Sequence, residues 1–166
     1  MALPHSEFLD QGHIRTVCTR VQFAAKACPP GSIYGQVIAK TPILDFPLTG
    51  NLYLRSSSHL LPDMVAVLKG PPSFPIEIES AGRIDSVHGG IRATFENVPD
   101  APITEVVASF PGGSKGLLEN SRNICSQKFR VVAKFEAHSG KAAELKPVLK
   151  ASCKGKSARR LRHRHR

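Results

Sequence analysis

Apolar and polar residues alternate with a period of two through much of the chain. Ile91, Ala93 and Phe95 alternate with Arg92, Thr94 and Glu96, and Ile76 and Ile78 with Glu77 and Glu79. Phe129, Val131, Ala133 and Phe135 alternate in the same way with Arg130, Val132 and Lys134. Successive side chains of a strand point to opposite faces, so the pattern predicts strands that bury one face. Further strands are predicted at 34–40, 51–56, 64–69, 104–110 and 144–150, between the turn-forming clusters "PPG", "LTGN", "GPP", "HGG", "VPDAP" and "PGGSKG". The predicted core is Ile38, Leu52, Leu54, Val65, Val67, Ile78, Ile91, Phe95, Val106, Phe110, Phe129, Val131 and Phe135.

One segment reads as a helix, "TRVQFAAKA", near residues 19 to 26. Thr19 can cap its first turn, Gln22 can complete a capping box, and Pro29, Pro30 and Gly31 end it. Eight or nine short strands suggest a sandwich or an open barrel, because a sheet with one apolar face must be covered by another layer. The reading adopted is mostly β: a two-layer antiparallel β-sandwich, Ig-like or jelly-roll-like, formed by residues 1–153 as one domain. At 166 residues the chain is long enough to bury such a core without covalent help.

Charge divides the chain in two. The formal net charge is +10, and Lys154, Lys156, Arg159, Arg160, Arg162, Arg164 and Arg166 supply seven positive charges with no acid among them. Positions 1–153 hold 16 basic and 13 acidic residues, a net of +3. The segment 154–166 offers too little apolar surface to offset its ordering entropy and is predicted to be a disordered Arg/Lys/His-rich tail. Apolar runs such as "MVAVL" at 64–68 are strand-sized, so no membrane span is predicted. The start "MALPHSEFLDQGHIRT" carries no export signal, which reads either as a cytoplasmic protein, complete as given, or as a module of a longer exported chain.

Four cysteines, Cys18, Cys28, Cys125 and Cys153, raise the question of metal, redox or covalent roles. Zinc sites bring ligands in close C-x2-4-C pairs and redox motifs use C-x-x-C, and neither spacing is present. Disulfides or unpaired thiols are left, and the even count favours bridges. A straight helix from 18 to 28 would hold its ends about 15 Å apart, against the roughly 4.4–6.8 Å that a disulfide spans. A Cys18–Cys28 bridge therefore requires a short helix and a chain that doubles back through Lys26 and Ala27. It is preferred with Cys125–Cys153, and the two crossed connectivities stay open.

Other clusters give no clear chemistry. In "RSSSHLLPDM" the adjacency of Ser58 and His59, with Asp63 beyond, supplies no rigid nucleophile elbow, so the segment reads as a polar loop before a strand. "PGGSKGLLEN" lacks the G-K-[ST] ending of a phosphate loop. Asp85, Glu96 and Asp100 have no calcium-loop spacing, and the chain has no Trp and only Tyr34 and Tyr53 for sugar stacking. His163 and His165 lie in the tail, where they add pH-dependent charge. No metal, cofactor or enzymatic activity is expected.

The order of motifs resembles a module of large, uncharacterised exported proteins of bacteria, notably actinobacteria. The likeness covers residues 3 to about 153: a cysteine pair with Cys-Pro, "GNLYL", "LPD" before an apolar strand, "TFENVPDAP", and "GGSKGLL" before Asn-x-Cys. The resemblance implies an extracellular or envelope-associated β domain without established enzymatic activity. The function expected is then a non-catalytic structural or adhesive module, with other domains of a longer chain or envelope components as partners. The alternative is weak nucleic-acid or polyanion binding through the seven tail cations, which would be steeply salt-dependent.

Overall fold

The computed structural model describes residues 1–5, 7–87 and 89–153, so the seven tail cations and the predicted disorder lie outside the described residues. The protein is mostly β, with 42% strand and 9% helix. Five strands, β2 (Ile33–Lys40), β3 (Leu48–Arg55), β4 (Asp63–Lys69), β5 (Glu77–Val87) and β6 (Gly90–Phe95), form an antiparallel meander. A later strand, β7 (Glu105–Ser109), returns to the free side of β2, which gives the order β6-β5-β4-β3-β2-β7. Two ribbons accompany this sheet: β1 (Glu7–Leu9) pairs with β8 (Leu118–Asn120), and β9 (Ala133–Glu136) with β10 (Ala142–Leu145).

Register places the apolar positions on one face. Ala39 lies opposite Leu48, Leu52 opposite Ala66, and Leu68 opposite Ile78. The sheet curls around this face and fills it with two clusters. In one, Leu54, Ile84, Ile91 and Tyr34 meet Leu9, Leu61 and Leu117; in the other, Val37, Ala39, Leu48, Leu52, Ala66 and Leu68 meet Phe46 and Ile76. Burying each large aliphatic side chain contributes about 1.5–3 kcal/mol, which makes this face the main source of stability.

Curvature has local causes. Between Ile33 and Gly35 the register slips by one residue, a bulge that leaves Tyr34 unpaired and buried in the first cluster. The Tyr34 hydroxyl accepts the amides of Arg15 (3.1 Å) and Thr16 (3.3 Å) and ties down the incoming chain. On β3, a Cβ at Gly50 would overlap the carbonyl of Val67, so β3 and β4 approach there as only glycine permits.

The two edges of the sheet differ. Along β6, Leu3 donates to Ile91 (2.8 Å) and Ala93 to Met1 (2.8 Å), while Ala2 exchanges bonds with Val132 (2.7 and 2.9 Å). The pairing continues outward, since Val131 donates to Pro147 (3.0 Å) and Leu149 to Phe129 (2.8 Å). At the other edge, β7 pairs with β2 alone among the described residues.

Several predicted core positions need correction. Leu52, Leu54, Val65 and Ile91 are buried, and Val67, Ile78, Phe129 and Val131 are half-buried. Ile38, Phe95, Val106, Phe110 and Phe135 are exposed. Val106 and Phe110 belong to the open β7 edge, Phe95 spreads over Gly82 at the end of β6, and Ile38 points to the opposite face of the sheet. Phe135 is 59% exposed because it sits in a two-stranded ribbon, and two strands alone cannot shelter a face. The alternation at 129–135 is also divided: residues 130–132 pair with Ala2 and the 147–149 segment, and only Ala133–Glu136 is strand. The predicted strand at 144–150 stops at Leu145, ahead of Pro147, which cannot donate a ladder bond.

Candidate functional site

Residues 18–28 form an arch over the face of the sheet opposite the two clusters. Thr19 accepts the Gln22 amide (3.1 Å), Gln22 in turn accepts the Thr19 amide (3.0 Å), and this capping box starts α1 (Arg20–Ala24). The helix ends as a Schellman motif: Ala27 donates to Gln22 (2.8 Å), Lys26 donates to Phe23 (3.0 Å), and Lys26 takes the left-handed conformation at φ 53°. That reversal brings the Cys18 and Cys28 Cα atoms to 5.2 Å, and the two are joined by a disulfide.

The arch is fastened at three further points. Cys18, fully buried, donates to Leu54 (2.9 Å) and accepts from Ser56 (2.8 Å), occupying the place of a strand beside the end of β3. Phe23 meets Tyr53 edge-on at 6.1 Å and carries the Arg55 guanidinium 5.2 Å above its ring. Lys26 reaches Glu77 (2.6 Å), which also takes Lys69 (3.0 Å). Bonds to these two ammonium groups hold the Glu77 carboxyl below its usual range. A small hollow of about 100 Å³ lies under the arch, lined by Phe23, Lys26, Tyr53, Val67, Lys69 and Glu79 among others.

The serine–histidine segment is organised by local bonds. His59 directs Nε2 at Asp63 Oδ1 (2.9 Å), and the other Asp63 oxygen takes Arg55 (3.0 Å). The Ser57 hydroxyl donates to Leu61 (2.6 Å) and accepts from the His59 amide (3.2 Å), so it shapes the turn. Ser58 is exposed. The imidazole and Asp63 therefore meet, but through the start of β4 and without a serine hydroxyl on the ring. Of the three carboxylates weighed together, Asp85 bonds Arg83 (2.8 Å) and Arg92 (3.4 Å). Burial acts to raise its carboxyl, and the two guanidinium groups outweigh this and lower it.

The second disulfide joins Cys125 to Cys153, with Cα atoms 5.8 Å apart, and ties the loop after β8 to the end of the described chain. Here the structure assembles residues that sequence reading did not join into a site. Pro4, His5, Arg122, Gln127, Lys128, Phe129 and Arg130 line an open hollow of about 590 Å³ without a carboxylate among them. It forms where the N-terminal segment leaves β6, turns at Pro4 with Glu7 donating back (2.9 Å), and enters the β1–β8 ribbon. A signal was present in the sequence: between Glu119 and Glu136 there are four cations and no acid. What a linear reading lacked is the approach of His5, more than a hundred residues away.

Among the described residues no group of three or more His, Cys, Asp or Glu side chains could hold a metal ion, and no helix is long and apolar enough to cross a membrane. Comparison of the chain with protein-family models, curated protein sequences and solved structures returned no match.

Proposed function

We propose that this chain is a non-catalytic structural or adhesive module of a bacterial extracellular or envelope protein, and that it engages neighbours through the outer edge of β7. From Thr104 to Phe110 the strand carries one charge, Glu105, which is bonded to Lys40 (2.6 Å), and it has no Lys, Pro or bulge. Val106 is 57% exposed on one face and Val107 43% exposed on the other. An edge without such protective devices presents unpaired amides and carbonyls to any compatible strand.

The occupant in this reading is β7 of a second copy. Antiparallel pairing about Val107 sets Val107 opposite itself, Val106 opposite Ala108 and Glu105 opposite Ser109, so no like charges face one another. The result is a continuous sheet of two molecules related by a two-fold axis. Sedimentation velocity of the oxidised full chain, from micromolar to hundreds of micromolar, tests it. A dimer is expected, and Val107→Lys, which opposes two ammonium groups at the axis, should abolish it without changing the melting temperature. A monomer throughout, or a Val107→Lys variant that still dimerises, overturns the edge assignment.

In this reading the curled sheet is one layer of an antiparallel sandwich of the Ig-like or jelly-roll-like kind. The β1–β8 ribbon with Leu9 and Leu117 covers one end, and Phe46 and Ile76 cover the other, which supports that view. Disulfides persist in oxidising compartments, and this agrees with the resemblance to exported actinobacterial modules. Polyanion binding through Lys154, Lys156, Arg159, Arg160, Arg162, Arg164 and Arg166 is the second reading, and it is favoured by the run of cations beginning one residue after the bridged Cys153.

A further inference from the structure

We infer that the hollow between Pro4–His5 and the 122–130 loop is a binding site in the folded domain for a phosphate group of a linear phosphate-bearing polymer. The inference supplies a ligand class for the adhesive reading. It stands on residues at the opposite end of the strand order from β7, so either proposal can fail without the other.

Of the 16 Lys and Arg in residues 1–153, Lys26, Lys40, Arg55, Lys69, Arg83, Arg92, Lys134 and Lys146 are each bonded to a carboxylate. Among the described residues the other eight are not, and three of those, Arg122, Lys128 and Arg130, line the same hollow. Neither Arg122 nor Lys128 has a side-chain hydrogen bond or ion pair among the described residues. Arg130 donates Nη1 to the Lys146 carbonyl (2.7 Å), which fixes its direction without neutralising it. Like charges gathered around one cavity repel, and an anion in the cavity removes that cost.

The chemistry selects phosphate. Guanidinium groups present paired donors that match phosphate oxygens bidentately, and an ammonium adds a third point charge, more than a single carboxylate requires. The Gln127 amide is a further donor on the wall. Phe129, the one Phe, Tyr or Trp on the wall, is half-buried and forms part of its floor. Cys125 lies between Arg122 and Lys128 in the chain, and its bond to Cys153 limits how far the loop can open.

Binding of inorganic polyphosphate to the oxidised full chain, measured by calorimetry across a salt series, tests the inference. Arg122→Gln with Lys128→Gln should weaken binding about tenfold at low salt and flatten the plot of log affinity against log salt by roughly 1 to 2. The control is Lys115→Gln with Lys141→Gln, which removes the same charge elsewhere and should have a small effect. Replacing the seven tail cations by Gln should leave an interaction that remains sensitive to Arg122→Gln alone. Orthophosphate should compete if one group is seated, and double-stranded DNA should bind no better than polyphosphate of equal charge. Equal losses in the two double variants would mean that net charge alone is responsible and would overturn the site. So would complete loss with the tail variant, or with Arg122→Gln having no effect.

Discussion

Removing the Cys18–Cys28 bond tests how the arch is held, and its cost can be worked from loop length and burial. The two disulfides close sequence separations of 10 and 28. Chain entropy alone then assigns about 2.8 kcal/mol to Cys18–Cys28 and about 3.6 kcal/mol to Cys125–Cys153, so the longer loop should matter more. Burial opposes that order. Cys18 is fully buried, whereas Cys125 and Cys153 are exposed. Replacing Cys18 by Ala leaves a void of roughly one sulfur atom and adds about 1 kcal/mol. Cys18→Ala with Cys28→Ala should therefore cost about 4 kcal/mol, at least as much as the other pair. The consequences should also be local. The two backbone bonds of Cys18 to Leu54 and Ser56 remain, but five helical residues cannot persist without the bond that returns the chain. Urea unfolding gives the energy, and the Tyr53 signal reports loss of the Phe23 ring. A cost below 1 kcal/mol, or less than half that of the other pair, would refute the account of the arch.

Phe95→Ala should cost only about 1–2 kcal/mol, since the ring is 38% exposed and its principal service is to cover Gly82; thermal melting measures it. Gly50→Ala should separate β3 from β4 and lower the melting temperature more than Phe95→Ala does, because the new methyl meets a carbonyl that cannot move. Lys26→Gly should be neutral or stabilising by up to about 1 kcal/mol, as glycine suits the left-handed position better than lysine and the ion pair it removes is on the surface. Asp85 ionises below its ordinary range in the folded state, so its contribution is complete above the unfolded value near 3.9 and fades as the pH falls through the folded value. The stability difference between the wild type and Asp85→Asn should accordingly be constant near neutral pH and vanish in strong acid.

The alternating pattern reveals which residues share a face, and it serves for most of the meander, with Ile38 of β2 and Phe95 of β6 as its exposed exceptions. Leu52, Leu54 and Ile91 follow the pattern into the core, and the capping box at Thr19 and Gln22 marks the helix start. The reversal at Lys26 is legible only through the cysteines, since lysine gives no local hint of a left-handed conformation and the disulfide spacing requires one. Alternation does not say whether a face will find cover. Val106 and Phe110 alternate as regularly as Leu52 and Leu54, and they are exposed because β7 is the last strand of the sheet. Position in the strand order depends on pairings between distant segments, which no short window of sequence contains.

The C-terminal third is the least legible part of the chain for the same reason. Its short elements are not arranged around a core of their own: β8 is completed by β1, and residues 130–132 by Ala2. Each of those pairings spans more than a hundred residues, so the local pattern could not separate one continuous strand at 129–135 from a bridge followed by a ribbon. The basic hollow is the product of this interleaving. Arg122, Lys128 and Arg130 are ordinary exposed cations by sequence, and they become a candidate site because the N-terminal segment, after closing the β6 edge, brings Pro4 and His5 against them. It follows that disturbing the N-terminal pairing should weaken the hollow's ligand even though the cations are untouched. Ala2→Pro removes the donor that Val132 accepts at 2.7 Å, and it should lower polyphosphate affinity while leaving the β2–β5 amides protected from hydrogen exchange. If the affinity were unchanged once Ala2 no longer paired with Val132, the 122–130 loop would be holding its shape without the N-terminal segment.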